Sequence, residues 1–213
     1  MLIGWQQIVG HVHPILAAAA NAGAASPATI RLMPSTTFKT LFLSVCTVVL
    51  LAACSPQYNW RDYASQDAPF RAMFPDKPVT HTRNIDVGGL KVDMTMTAAQ
   101  VDGVTFAVGS AVAPDAARAE AALAAMKTAL VRNIGATVKS EKVSASAASR
   151  GGAGTQSARI DIDASGKQNG KPMRLVGHFE SRDKHFYQVI VMGPENNISK
   201  ENIEMFMSSF KLQ

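Results

Sequence analysis

The chain has 213 residues, of which 47% are hydrophobic, and only two are cysteines, a composition that excludes a disordered polymer, a collagenous or coiled-coil rod and a disulfide scaffold. Its formal charge of +5 includes Arg31 and Lys39, which lie in a segment that reads as removed, and the remaining excess of 19 basic over 16 acidic residues is too small to argue for nucleic acid. The 160 residues from Cys54 onward make one domain by length, and a chain of that size buries roughly 68–70% of its unfolded surface without needing a metal or a disulfide.

Residues 1–32 are Ala-rich, contain Pro14 and Pro27 and carry no acidic group. His11 and His13 in this stretch are not read as a metal pair. Met33-Pro-Ser-Thr-Thr-Phe-Lys39 already supplies a complete basic leader start, so the expectation is that translation begins at Met33 and that residues 1–32 are an upstream extension. The alternative is a long n-region. Residues 41–53 form an uncharged apolar run of thirteen residues. That is shorter than the roughly 20 residues needed to span a bilayer and has the dimensions of a signal-peptide core. Residues 33–53 are therefore expected to be a signal peptide.

The run ends in Leu51-Ala52-Ala53-Cys54, which resembles the bacterial lipobox. The resemblance implies cleavage before Cys54 and acylation of its thiol, with palmitate among the lipids. The competing reading is a buried helix with Cys54 as a core cysteine. Cys46 leaves with the leader, so an acylated Cys54 would leave the mature domain with no free thiol, as suits an oxidising periplasm. Several acyl chains pass the threshold of stable anchoring. Ser55 is not the Asp that resembles an inner-membrane retention signal, so the outer membrane is favoured over the inner.

Residues 54–68 read as anchor and linker, and residues 69–213 as a single domain. Tyr58, Trp60 and Tyr63 follow the anchor; Trp60 is expected to dock on the domain as its first packed residue, the alternative being the headgroup level of a membrane. Pro75 and Pro78 punctuate the chain. Residues 79–87, the Gly88-Gly89 turn, and residues 90–100 then read as a hairpin. Leu90, Val92, Met94, Met96 and Ala98 alternate with Lys91, Asp93, Thr95 and Thr97. Asp102-Gly103 is a strong hairpin signal. Beyond it Val104, Phe106, Val108 and Val112 are expected to continue the apolar face, opposite Ala107, Gly109 and Ala111.

The period then switches to helix. Asp115 is the expected N-cap, Leu123, Met126, Leu130, Val131 and Ile134 form the stripe, and Gly135 closes it. Residues 137–147 read as a strand and 149–154 as a Ser/Gly-rich loop. A strand follows in which Ala158, Ile160 and Ile162 alternate with Arg159, Asp161 and Asp163. Residues 166–170 are expected to turn, 172–182 to form a strand, Asp183-Lys184 to turn, and 185–192 to form a central strand apolar on both faces. Ser199 starts a last helix, stapled by Ile198 and Ile203 and carrying the stripe Ile203, Phe206, Met207 and Phe210. The fold expected is α+β, an antiparallel sheet of about six to seven strands with two main helices packed on it.

Residues 70–78, the Asp102-Gly103 hairpin, the helix ending in Asn133-Ile134-Gly135, Phe186-Tyr187-Gln188-Val189 with Gly193, and residues 206–212 together resemble the PsbP/Mog1-like fold. More narrowly, with Trp60-Arg61-Asp62 between anchor and domain, they resemble uncharacterised proteobacterial lipoproteins of that fold. The resemblance implies a module that works by binding. It carries over no functional residue.

A search for chemistry leaves little. After Cys54 the histidines are His81, His178 and His185, and Gly109-Ser110 lacks the second glycine of a nucleophile elbow. His178, Glu180, Asp161 and Asp163 share a strand face where a weak cation site is conceivable. Arg159, Arg174 and Arg182 at matching positions favour a solvated face of cross-strand ion pairs instead. The loop Arg150-Gly151-Gly152-Ala153-Gly154 lacks the ending of a phosphate loop. Asn197-Ile198-Ser199 matches a sequon by accident, since Ser199 is wanted as a cap. Met94, Met96 and Met126 read as core fillers rather than copper ligands.

No catalytic, cofactor-binding or metal residue is therefore expected, and Cys54 is the one site, a lipidation site. The function expected is that of a non-catalytic lipoprotein of the bacterial envelope, a binding or assembly-accessory module anchored on the periplasmic side. Its expected partners are the membrane and an envelope protein, not nucleic acid. The alternative is a carrier of a small ligand or metal in a pocket between sheet and helix, with an enzyme a third possibility.

Overall fold

The computed structural model describes residues 57–146 and 157–213. The leader, Cys54 and the glycine-rich loop at 149–154 lie outside the described residues. Tyr58 to Gln213 form one compact unit.

Its main layer is a seven-stranded antiparallel sheet built from two meanders. The first comprises β3 (Val79–Val87), β4 (Leu90–Val101) and β5 (Val104–Val112). The second comprises β6 (Thr137–Ser146), β7 (Ser157–Gln168), β8 (Lys171–Arg182) and β9 (His185–Pro194). They join along β5 and β9, giving the order β3-β4-β5-β9-β8-β7-β6. β9 thus lies at the centre, and residues from Phe186 to Val191 are all buried, as a strand apolar on both faces requires.

The turns follow from backbone freedom. Asp102 and Gly103 both adopt positive φ, 52° and 74°, which a two-residue hairpin demands. That turn pairs Val101 with Val104, so every cross-strand pair of β4 and β5 joins an even number to an odd one. Met96 therefore faces Gly109, while Phe106 and Val108 lie opposite Ala99 and Thr97. This corrects the expected continuation: Val104, Phe106 and Val108 occupy the face opposite to Met94 and Met96, and Val112 is exposed. A second correction concerns residues 166–170. The strand runs on to Gln168 and the turn is confined to Asn169-Gly170, because Gly166 remains paired with Met173.

Helix α1 (Ala116–Asn133) packs on β7, β8 and β9. Asp115 caps it by accepting from the Arg118 amide at 2.8 Å, and Gly135 leaves it at φ 55°. Ala119, Ala122, Leu123, Met126 and Leu130 form its buried stripe.

The opposite face of the sheet is covered by α2 (Lys200–Ser209) and by a three-stranded sheet ordered β1-β2-β10. Here β1 is Arg61–Ala64, β2 is Phe70–Phe74 and β10 is Lys211–Leu212. Phe70, Ala72 and Phe74 of β2 turn inward to join Phe106, Tyr187 and Phe206 in one core. The compact unit accordingly begins at Tyr58 instead of residue 69. Trp60 packs edge-on against Phe106 with ring centroids 5.8 Å apart, and β1, which lies inside the expected linker, pairs with β2 of the domain.

Ser199 caps α2 through the Asn202 amide, and Ile198 and Ile203 are both buried. The helix stops at Ser209. Phe210 is extended and still buried, and it carries the chain into β10.

Candidate functional site

Alternation puts Arg159, Asp161 and Asp163 of β7 on the same face as Arg174, His178 and Glu180 of β8. α2 lies over the centre of that face and leaves the β6–β7–β8 side beside it open. The result is a groove of about 590 Å³. Its floor is the charged face of β7 and β8, and one wall is Ile203, Met207 and Phe210. Lys142 from β6 and Lys211 from β10 complete the rim. A smaller hollow of about 370 Å³ continues past Arg159 and Glu180 to Arg182 and Ser157.

The polar floor is internally paired. His178 Nδ1 lies 2.5 Å from Asp161 Oδ1 and its Nε2 lies 3.0 Å from Glu180 Oε2. Glu180 also accepts from Arg159 at 3.1 Å, and Arg174 reaches both oxygens of Asp163 at 3.2 and 2.8 Å. Lys127 of α1 pairs with Glu141 of β6 at 2.7 Å, which ties that edge strand to the helix on the other face.

Burial alone would lower the His178 pKa, but hydrogen bonds to Glu180 and Asp161 and their negative charges outweigh it, so the imidazole is held above its ordinary value. Burial likewise opposes ionisation of Glu180, yet hydrogen bonding to His178 and the Arg159 charge bring its carboxyl below the ordinary range. The Tyr187 hydroxyl beside them is pushed up to about 12, first by burial and then by the Glu180 charge.

Both ring nitrogens of His178 are engaged by carboxylates, one by Asp161 and the other by Glu180. Among the described residues no three His, Cys, Asp or Glu side chains converge as a metal site. The cross-strand pairs expected from Arg159 and Arg174 are present. The face is not simply solvated, however, because the His178 side chain is only 19% exposed and its ring centroid lies 6.0 Å from that of Phe210. The apolar wall is what the sequence reading missed. Ile203, Met207 and Phe210 were legible as members of the apolar stripe, but their position beside β7 and β8 is set by tertiary packing.

Met94, Met96 and Met126 are buried in the core, and Ser110 sits buried within β5. Among the described residues no helix is long and apolar enough to cross a membrane. No protein-family model matches the chain, and no curated protein matches it.

Proposed function

We propose that this chain is a non-catalytic lipoprotein of the bacterial envelope with a PsbP/Mog1-like domain, acylated on Cys54, whose groove beside α2 binds another envelope component. The observation that carries the anchor is Leu51-Ala52-Ala53-Cys54 at the end of an apolar run too short to span a bilayer. The binding role is supported by the groove itself, which sets a charged floor against Ile203, Met207 and Phe210. Such a surface offers a partner both apolar contact and polar orientation.

The test is labelling and crosslinking in intact cells. Wild-type chain takes up labelled palmitate, and Cys54→Ala accumulates as an unlabelled precursor. A photocrosslinker at Ser208, on the groove rim, captures an envelope protein, whereas one at Arg83 on the far edge strand does not. Mature protein that retains residues 1–53 would overturn the anchor, and equal capture from Ser208 and Arg83 would overturn the groove.

A second reading, a small-ligand carrier, is favoured by one observation: about 590 Å³ falls within the range of small-molecule sites. It predicts a co-purifying small molecule whose removal lowers the melting temperature.

A further inference from the structure

We propose that the end of the domain bearing the Asp102-Gly103 and Asn169-Gly170 turns rests on the bilayer, its basic side chains meeting anionic phospholipid headgroups. This rests on the lipid-anchor reading of Cys54. Three observations on different elements converge on that end.

The first is covalent reach. Tyr58 stacks on Trp60 and meets Phe106 edge-on, so the chain is tied to the domain from residue 58 onward. Cys54 is four residues earlier, and four residues span at most about 14 Å. The lipid therefore cannot lie far from where Tyr58 is held.

The second is the position of Tyr58. Burial and then the charge of Asp102 in the β4–β5 turn hold its hydroxyl above the ordinary value, against the opposing effect of Asn202 in the first turn of α2. The Asn59 amide donates to the Pro75 carbonyl at 2.8 Å. Asn197 in turn donates to the Asp102 carbonyl at 2.9 Å. β4, β7 and β9 finish at this end, and β3, β5, β6 and β8 begin there. The other end, at Gly88-Gly89 and Asp183-Lys184, is separated from it by strands of up to 12 residues, roughly 40 Å. That distance exceeds the tether.

The third is charge. Arg132 at the end of α1, Lys139 at the start of β6, and Lys167 and Lys171 flanking the Asn169-Gly170 turn are all exposed there. Glu195 lies 3.8 Å from Lys139. Lys77 and Lys200 add to the same end, beside Asp76, Asp102 and Glu201, with Lys200 3.6 Å from Glu204. Basic side chains within a Debye length of an anionic leaflet are attracted to it. With this end down, the groove opens sideways and its Arg159–Arg182 extension points away from the bilayer, accessible to a soluble or neighbouring partner.

The experiment uses the full chain, processed and acylated in a bacterial host and reconstituted into phosphatidylcholine vesicles with about 30% phosphatidylglycerol. Acylation occupies Cys54, so a fluorophore can be placed on one new thiol, Asn196→Cys at the proposed membrane end or Lys184→Cys at the opposite end. With a quencher on the lipid headgroup, the label at 196 should be quenched about threefold more than the label at 184. Lys167→Glu with Lys171→Glu, or omission of phosphatidylglycerol, should cut the quenching at 196 about twofold. Palmitoylated, inserted protein with equal quenching at the two sites, or more at 184, overturns the orientation. Quenching at 196 that ignores both charge changes overturns the headgroup contact. A chain that takes up no palmitate and stays out of the vesicles overturns the anchor reading, and this inference with it.

Discussion

His178 on β8 stands directly opposite Asp161 on β7, and its Nδ1 approaches that carboxylate to 2.5 Å while its Nε2 holds Glu180. The pair joins two strands beneath Phe210 and gives the groove floor a proton that the folded state keeps more tightly than the unfolded chain does.

That preference sets a pH dependence. A histidine whose folded pKa lies above its ordinary value of 6.5 contributes stability that is full below 6.5 and is lost as pH rises through the folded value. Glu180, lowered from 4.5, contributes above that value and loses its contribution as pH falls through the folded one. Both contributions are complete between these two pH values. The denaturant midpoint of the chain should therefore fall from about pH 6.5 upward, and His178→Gln should flatten that decline. Identical slopes in the two proteins would show that His178 gains no proton affinity on folding.

Two glycines press on different neighbours, and alanine should separate them. A Cβ at Gly166 would stand 2.5 Å from the Ile134 carbonyl oxygen and 2.8 Å from Ala136 Cα, both backbone atoms of the connection from α1 to β6. A Cβ at Gly109 would meet Met96 Sδ at 2.6 Å and Gln188 Cγ at 2.7 Å, side-chain atoms that can turn aside. Overpacking of this kind costs about 1–3 kcal/mol. Gly166→Ala should reach the upper end and Gly109→Ala the lower, read as shifts in urea midpoint at constant slope.

The same glycine marks where sequence reasoning stopped short. Gly166 looked like the start of a turn, but it is a strand residue that admits a crossing backbone, a contact from residues thirty positions away. Turns whose signal is local were legible: Gly88-Gly89, Asp102-Gly103 and Asp183-Lys184 lie where their dipeptides indicated, as do the caps Asp115 and Ser199. Strands of four and two residues, β1 and β10, are too short to show a period, so the small sheet was invisible. The face of Phe106 was misread for a different reason. A two-residue turn inverts the parity of partners, and the pairing of Met96 with Gly109 follows from counting across Asp102-Gly103. At the candidate site, the ion pairs were legible because cross-strand neighbours follow from register. The groove was not, because it depends on where α2 lies.

Gln188 is the polar residue least at ease in this core. It is fully buried on β9, its Nε2 donates only to Met96 Sδ at 3.3 Å, and its Oε1 finds no partner among the described residues. An unpaired buried acceptor costs about 1–3 kcal/mol, and a thioether is a weak acceptor for the amide. Methionine has nearly the same shape without that penalty. Gln188→Met should raise the unfolding free energy by about 1 kcal/mol, read as a higher urea midpoint at constant slope. A clear loss of stability would mean that the amide is satisfied in solution and serves a purpose at this position.

The last prediction decides whether α2 is part of the core or a detachable partner helix. Phe206 is fully buried, with ring centroids 5.4 Å from both Phe74 and Phe106, so it bridges the small sheet to the centre of the large one. Ser209, one turn later, accepts a hydrogen bond from the Met73 amide at 2.9 Å, which fastens the helix end to β2. Truncating a buried phenylalanine costs about 3–5 kcal/mol, a large share of the roughly 5–15 kcal/mol that holds a domain together. Met205, on the same helix, is 44% exposed and serves as the control. Phe206→Ala should therefore lower the urea midpoint strongly, while Met205→Ala leaves the unfolding free energy within about 0.5 kcal/mol of the parent's. Equal, small effects would mean that α2 leaves the sheet in solution, and the apolar wall of the groove would then be a mobile docking segment.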